Sequence, residues 1–553
     1  MDSIRTPQGG KELSQYMKKA FRAAAVFLVL SMLTGCTEIA YNTPSVSEDT
    51  SGIVSSPPLQ TQKPDPSIPD KYQEKEVNIN TQDYSEEFQL ESVCDNTCHT
   101  YLMGYTGEGY IQIDTHEYAT FRVHVPSTQY YKLTIYMCAF DTGVDVIIGG
   151  NKTTAAQGDY ETFDGVSKGI IYEKDITMFT PFSIDGIYLK KGDNVITLQS
   201  VSGMAYMDKV TLENGRSVSS GFYSMSNSPI NPNADINTVK TLNFFSEIYG
   251  KKTLTGQRVT SGTDAELAAI YELTGRLPAI RIGDLSCAQE RSPSYDENKT
   301  DIELAKKWAK RGGIVSYGWT WYSPSDKSHY LSSMSDFNFE KVYTDTDISE
   351  ASIDTIEKLY GNGEISKECF RLIQDMEEMA KVLKDLQDEN VTVLFSPLPD
   401  GGKGGYWWSD SSKSYKWLWK TMVKRFNDLY GLTNIIWVWN GGGEDFYPGD
   451  EYVDIVGENV YNTTGDSGNA RFMGTIYYKS SRATAMTDCL QIPDPDILAQ
   501  DNARWLWFAL SGGDCLINEN GKLTGRYSSD TLLEKAYNHE SFLTLDEISG
   551  RFV

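Results

Sequence analysis

Histidine is scarce in this chain: five occur in 553 residues, and only His329 and His539 fall in the C-terminal half. That shortage works against a metal hydrolase or a Ser-His-Asp triad. Eight cysteines include no Cys-x-x-Cys pair, and only His99 lies beside any of them, which argues against a zinc site. Positive charge is in deficit, with 50 Lys and Arg against 76 Asp and Glu and a net charge of -26. A phosphate backbone would be repelled, so nucleic acid is excluded as a partner. The apolar run Ala23–Leu30 is too short for a comfortable membrane span.

Aromatic residues are plentiful: 12% of the chain, including 11 Trp and 34 Tyr. That load suits a folded protein that binds something flat-faced, and sugar rings qualify. The length calls for more than one domain. At the N-terminus Lys11, Lys18, Lys19 and Arg22 precede the apolar run, and Leu33-Thr34-Gly35-Cys36 follows it. The pattern is that of a signal peptide. Its ending resembles the bacterial lipobox, which implies cleavage before Cys36 and lipidation of that thiol. The expected location is therefore the extracellular face of a bacterial membrane, lipid-anchored. The first 35 residues carry five Lys or Arg against two acids, so the chain beyond them sits near -29. Residues 36–75, rich in Ser, Thr, Pro and Gln, read as a disordered tether. With Cys36 lipidated an odd number of thiols remains, and Cys94 and Cys98 are close enough in sequence to bridge.

Residues 76–216 read as short strands. Ala119-Thr120-Phe121-Arg122-Val123-His124-Val125 alternates, and Gly192-Asp193 marks a turn before Asn194-Val195-Ile196-Thr197-Leu198. An all-β sandwich fits. Gln89-Leu90-Glu91, Gly104-Tyr105-Thr106-Gly107-Glu108-Gly109-Tyr110 and Tyr206-Met207-Asp208 make it similar to carbohydrate-binding modules of family 35. The resemblance implies a jelly roll with a structural calcium, with Glu91 and Asp208 at metal positions and Gln89 where the family has a glutamate. A neutral amide weakens such a site, since calcium prefers several oxygen ligands.

From residue 235 to 553 strands alternate with helices. The expected strands are Thr253–Thr255, Leu277–Ile282, Gly313–Gly318, Thr392–Ser396, Asn434–Trp439, Ile455–Val460, Ala483–Thr487 and Trp505–Leu510. Helices are expected over Ala265–Thr274, Ile302–Lys310, Glu368–Glu389 and Tyr415–Leu429. Eight alternations suggest a (β/α)₈ barrel, although a doubly wound sheet shows the same alternation. In a barrel the C-terminal strand ends carry the site. Those ends hold Asp284, Trp319-Thr320-Trp321, Pro399-Asp400, Trp439-Asn440, Glu458-Asn459-Val460-Tyr461 and Asp488. Two carboxyls among aromatic rings is what a glycosidase uses.

Several segments resemble glycoside hydrolase family 26, whose typical members are endo-β-1,4-mannanases. They include Gly312 to Pro324, Val393 to Asp400 with Gly404-Gly405-Tyr406-Trp407-Trp408, Asn434 to Asn440, and Thr487-Asp488-Cys489. The resemblance raises the barrel above the doubly wound sheet and puts Asp400 at the acid/base position and Asp488 at the nucleophile position. Asp284, Trp319, Trp321, Trp407, Trp408, Trp439 and Tyr461 become the expected sugar contacts, with no cofactor for the barrel. Both catalytic positions are glutamate in the family. Its Arg-Pro-x-His-Glu is Ser396-Pro397-Leu398-Pro399-Asp400 here, and its Trp-His-Trp is Trp319-Thr320-Trp321. Shortening each acid by a methylene, about 1 Å, widens a pair that retaining enzymes hold roughly 5–5.5 Å apart. The expectation is binding of a β-mannan-type polysaccharide or oligosaccharide (mannan or glucomannan) with hydrolysis impaired or lost. The alternative is an active endo-β-1,4-mannanase-like hydrolase using Asp400 and Asp488. Glu458 or Glu444 recruited as an acid is a third course.

Overall fold

The computed structural model describes residues 83–551, apart from 151, 155–160, 164, 216–222, 287–294, 326–328, 462–466, 476–478 and 480. The signal segment, Cys36 and the whole of the 36–75 tether lie outside the described residues. From Ser85 to Asn214 the chain forms antiparallel strands, with the long strand Gly192–Asn214 pairing Ser85–Gln89, Tyr110–Ile113, Tyr118–Val125 and Gln129–Ile148. The alternation in Tyr118–Val125 is a physical one. Ala119, Phe121, Val123 and Val125 are buried while Arg122 and His124 are exposed, as a two-residue period requires. Their apolar faces join Leu133, Ile135, Met137 and Leu198 in one core.

The C-terminal part is a closed parallel barrel. Numbered from the start of the barrel, its strands are β1 (Thr253–Arg258), β2 (Ile280–Asp284), β3 (Ile314–Trp319), β4 (Val393–Pro397), β5 (Ile435–Trp439), β6 (Ile455–Val460), β7 (Ala483–Cys489) and β8 (Trp507–Leu510). Each pairs with the next, and β8 pairs with β1. The doubly wound alternative is thereby removed. Helices α1 (Ile236–Ile248), α2 (Ala265–Thr274), α3 (Tyr295–Lys310), α4 (Ile353–Gly361), α5 (Lys367–Asp388), α6 (Ser412–Lys424), α7 (Asn469–Gly474), α8 (Pro495–Gln500) and α9 (Asp530–Tyr537) accompany the strands.

Local chemistry sets the helix limits. Helix α5 starts where the Ser366 side chain accepts from the Cys369 N–H, and it buries Leu372, Ile373, Met376, Met379 and Leu383 at helical spacing. Helix α2 stops at Gly275, whose φ of 69° suits a residue without Cβ. The expected Tyr415–Leu429 helix becomes α6 followed by a π-helical turn, Arg425–Leu429. Between β5 and β6 the described residues form only 3-10 turns, Glu444–Phe446 and Asp450–Tyr452.

A buried ion pair joins the antiparallel region to the barrel. Lys168 Nζ lies 2.8 Å from both Asp501 oxygens, and Ser467 Oγ donates to Asp501 Oδ2 at 2.6 Å. The Tyr130 hydroxyl adds a bond to the Gln500 carbonyl at 3.1 Å. The bridge considered between Cys94 and Cys98 is absent, and both are free thiols. Cys98 Sγ turns instead toward the Glu108 carbonyl, 3.9 Å away.

Candidate active site

Strand β4 ends in Pro397-Leu398-Pro399-Asp400, and the chain turns sharply there. Leu398 and Asp400 both take left-handed backbone conformations, φ 54° and 53°. Such angles are costly for residues other than glycine and persist only where neighbours enforce them. Three bonds do so: Tyr415 hydroxyl to Leu398 carbonyl (3.0 Å), Trp408 Nε1 to Pro399 carbonyl (2.9 Å) and Asp400 N–H to Asn440 carbonyl (2.7 Å). Aspartate tolerates this conformation better than most side chains.

Both Asp400 oxygens are engaged. Asn459 Nδ2 donates to Oδ2 at 2.9 Å, and Lys403 Nζ lies 2.6 Å from Oδ1. Asn459 is itself oriented by two donors to its Oδ1, Asn440 Nδ2 and Thr487 Oγ1, each at 3.0 Å. With its oxygen occupied this way, its NH₂ can only point at Asp400.

Asp488 reaches the same mouth through a bulge. Glu458 pairs with Met486 but Asn459 pairs with Asp488, so Thr487 is an extra residue in β7. Such an insertion re-aims side chains. Thr487 bonds Asn459, while Asp488 accepts from Ser511 Oγ on Oδ1 and from the Tyr461 hydroxyl on Oδ2 at 3.5 Å. Arg258, at the end of β1, lies 3.7 Å from Asp488 Oδ2. Burial raises the Asp488 carboxyl above the ordinary aspartate value. Arg258 and the Ser511 hydrogen bond pull it down, and the Asp400 charge adds to the rise. The two acids thus sense each other across one mouth.

Beneath them a cavity of about 40 Å³ is lined by Arg258, Asp284, Ser316, Thr320, Ser396, Asn440 and Thr487 among others. Its polar walls suit a water molecule or two, about the room a cavity of that size gives. Asp284 accepts from Thr320 Oγ1 at 2.9 Å and from the Ser286 N–H at 2.7 Å, so it belongs to this floor.

The tryptophans occupy a different place from the one expected of them. Trp319, Trp321, Trp407, Trp408 and Trp439 have no exposed surface, so none offers a ring face to a sugar. Trp319 stacks on Trp321 at 3.9 Å, and Trp407 meets Trp321 edge-on at 5.5 Å. Three of the indole N–H groups are used internally, Trp321 to Asp375 Oδ2 (2.9 Å), Trp407 to the Trp321 carbonyl (2.7 Å) and Trp408 to the Pro399 carbonyl (2.9 Å), while Trp319 Nε1 is buried without a partner. They form a wall behind half-buried tyrosines. Tyr406 stacks on Trp408 at 4.5 Å. Burial first, then Asp400 and other charges including Asp284 and Asp488, push the Tyr406 hydroxyl well up. Tyr461 is raised in the same way by burial, Asp488 and Asp400. Of the expected contacts, Asp400, Asp488, Tyr461 and Asp284 come together; the five tryptophans do not face the opening.

Sequence reasoning passed over Arg258, Ser511 and Lys403, and it placed Asn459 at a strand end and Tyr406 in the Gly404–Trp408 segment without giving either a role. Arg258 and Ser511 sit at the ends of β1 and β8, where the strand-end rule applies to them as well as to Asp488. Nothing in the sequence pattern marks Lys403.

In the antiparallel region Glu91 Oε1 accepts from the Glu108 N–H at 2.9 Å, while Glu91 Oε2 is buried without a partner. Asp208 accepts from the Thr106 N–H at 2.9 Å, and Gln89 Oε1 from Thr106 Oγ1 at 3.1 Å. A Cβ at Gly107 would fall 2.3 Å from Glu91 Oε1, so this turn closes tightly over the acids. Among the described residues no group of three or more His, Cys, Asp or Glu is arranged to hold a metal. The donors present are all oxygens, with one orphaned, which fits calcium chemistry at low ligand count.

A parallel eight-stranded barrel whose mouth sets two carboxylates among tyrosine rings has the frame of a glycosidase. This chain belongs to glycosyl hydrolase family 26, whose model matches residues 230–536. It is 30% identical over 466 residues to a mannan endo-1,4-beta-mannosidase of Thermothelomyces thermophilus, covering 82% of this chain and 88% of that protein. A mannan endo-1,4-beta-mannosidase B of Piromyces is 28% identical over 458 residues, 81% of this chain and 74% of its own length. The crystal structure of the Podospora anserina GH26-CBM35 β-(1,4)-mannanase matches with a TM-score of 0.51 at 27% identity, across 85% of this chain and 100% of that one.

Proposed function

We propose that this protein binds β-mannan-type chains, mannan or glucomannan, at a bacterial cell surface, and that its barrel hydrolyses them poorly or not at all. The observation that carries this reading is that each acid is matched by a cation, Asp400 with Lys403 at 2.6 Å and Asp488 with Arg258 at 3.7 Å. A retaining glycosidase needs one carboxyl protonated, to give its proton to the leaving oxygen, and the other free to attack the sugar. Here Asp400 Oδ2 accepts from Asn459 and Oδ1, buried without a hydrogen bond, faces the Lys403 ammonium as an ion pair, so a glycosidic oxygen reaches Asp400 only by displacing one of them. Burial that raises Asp488 works against a nucleophile, which acts as carboxylate. Loss of about 1 Å of reach at each acid adds to this, since such a misplacement costs on the order of 100-fold.

The named relatives support mannan as the polymer. The second reading, an active endo-β-1,4-mannanase-like hydrolase with Asp400 as acid/base and Asp488 as nucleophile, draws the same support from them and no more. In the antiparallel region we assign a jelly-roll carbohydrate-binding module. The Podospora relative, described as carrying such a module, supports the assignment. Glu91 and Asp208, with Gln89, are the residues that would hold a structural calcium there. Lipidation of Cys36 would tether the whole to the membrane.

Native electrophoresis through gels containing β-mannan, run beside a reducing-end assay, tests the reading. Retardation without new reducing ends is expected. Unretarded migration overturns it, and rapid release of reducing ends favours the second reading.

A further inference from the structure

Lys403 fills none of the positions that the glycosidase resemblance names, yet its ammonium reaches the mouth beside Asp400. The 3-10 turn Gly401–Lys403 closes with the Lys403 N–H on the Asp400 carbonyl at 2.9 Å, which sends the side chain back over Asp400. Its stem lies flat on Gly442: a Cβ there would sit 3.1 Å from Lys403 Cγ and 3.4 Å from Cε. Its ammonium ends 2.6 Å from Asp400 Oδ1 and 6.0 Å above the Tyr461 ring. That is the space between one acid and the tyrosine that bonds the other. On its far side Lys403 borders a rim pocket of about 350 Å³, walled by Gly442, Glu444, Glu458 and Arg471. Two further carboxylates line that pocket, Glu444 and Glu458; Glu458 is buried in β6 whereas Glu444 is exposed, so Glu444 is the one that a flexible four-carbon stem can follow toward solvent.

We propose that Lys403 is a positioning and specificity-determining residue that occupies the sugar position between Asp400 and Tyr461 and swings toward Glu444 when a glycan enters. The proposal rests on the mannan-binding reading. With Lys403 on Asp400, the carboxylate is denied to sugar hydroxyls and the Tyr461 face is covered. With Lys403 withdrawn, Asp400 accepts from a hydroxyl pair and the ring receives a sugar face. Entry of a neutral chain thus exchanges the Lys403–Asp400 ion pair for one with Glu444, so salt changes the affinity only where the second partner is missing, and an uncharged side chain at 403 removes the exchange.

The test is calorimetric titration of the full chain with mannohexaose, in low and high salt, for wild type, Lys403→Met, Lys403→Arg and Glu444→Gln. Lys403→Met is expected to bind about tenfold more tightly than wild type, with no salt dependence. Glu444→Gln should bind more tightly as salt rises while wild type and Lys403→Arg change little, a contrast that a structural role for the stem does not produce. Glu444→Gln, lacking the second resting place, should bind more weakly than wild type. If wild type binds and Lys403→Met binds no better, the lysine proposal is overturned and the mannan reading stands. If only Lys403→Met binds, the proposal is supported in its strongest form. If neither binds while both unfold at the same temperature, the mannan reading fails and takes this proposal with it.

Discussion

Asn459 and Asp488 are register partners across β6 and β7, and the bulge at Thr487 makes them so. The backbone of Asn459 faces Asp488 while its amide reaches Asp400 Oδ2 at 2.9 Å. One asparagine therefore ties the two acids into a single polar network.

Wall and platform separate by mutation. Trp319 is fully buried and stacked on Trp321. Trp319→Ala should cost about 3–5 kcal/mol of stability, as large-to-small changes of buried aromatics do. Tyr461 is half-buried at the mouth. Tyr461→Ala should weaken mannohexaose binding at least about tenfold with a small shift in Tm, a loss of stacking and contact of order 1.4 kcal/mol. Paired thermal melts and titrations check the contrast.

The ion pair between the antiparallel region and the barrel should behave as a buried one. Lys168 and Asp501 have side chains 1% and 0% exposed. Lys168→Met leaves the Asp501 carboxylate with Ser467 as its remaining hydrogen-bond donor, and should destabilise by about 3–5 kcal/mol. Lys168→Met with Asp501→Leu removes both charges and should recover much of that loss. Chemical denaturation of the single and double variants measures the difference.

Asp454 gives the stability a pH dependence. Burial pushes its carboxyl up to about 6, against the pull of backbone N–H groups of Trp437 and Ile230. The folded state therefore binds this proton more tightly than the unfolded one. The stabilisation is complete below the unfolded value of 3.8 and is lost as pH rises through about 6. The loss amounts to something on the order of 3 kcal/mol. Relative to Asp454→Asn, which does not titrate, wild type should lose stability between pH 4 and 7; parallel profiles for the two proteins would remove Asp454 as the cause.

Reach can be restored by Asp400→Glu with Asp488→Glu. Reducing-end release from β-mannan should rise by about 100-fold or more over wild type if the shortened acids are the main defect. The left-handed backbone at Asp400 accepts glutamate less readily, so some stability should be lost with the gain. No gain shifts the defect to Ser396 and Thr320, which line the cavity floor where the family pattern has Arg and His.

Much of the barrel was legible because its strands are apolar runs between helices of 3.6-residue period. The Ala265–Thr274 helix and the Ile455–Val460 strand fall where the pattern put them. The acids at 400 and 488 were visible as strand-end residues. What failed was orientation. A tryptophan at a strand end looks the same in sequence whether it faces sugar or core, and here tertiary packing turned all five inward. The bulge at Thr487 leaves no local signature, because an added residue in a strand keeps the same composition. The Lys403–Asp400 pair depends on a left-handed turn at an aspartate, which composition does not reveal. Likewise Cys94 and Cys98 are near in sequence, but Cys98 belongs to a strand paired with Tyr110–Ile113, and the two remain separate thiols.

A crystal soaked with mannohexaose gives the most direct measurement. An intact chain should lie across Tyr406 and Tyr461, over Asp400 and Asp488, with Lys403 turned away and every glycosidic bond in place. Cleaved fragments, a sugar bonded to Asp488 or a mouth left empty at saturating oligosaccharide would contradict binding without hydrolysis.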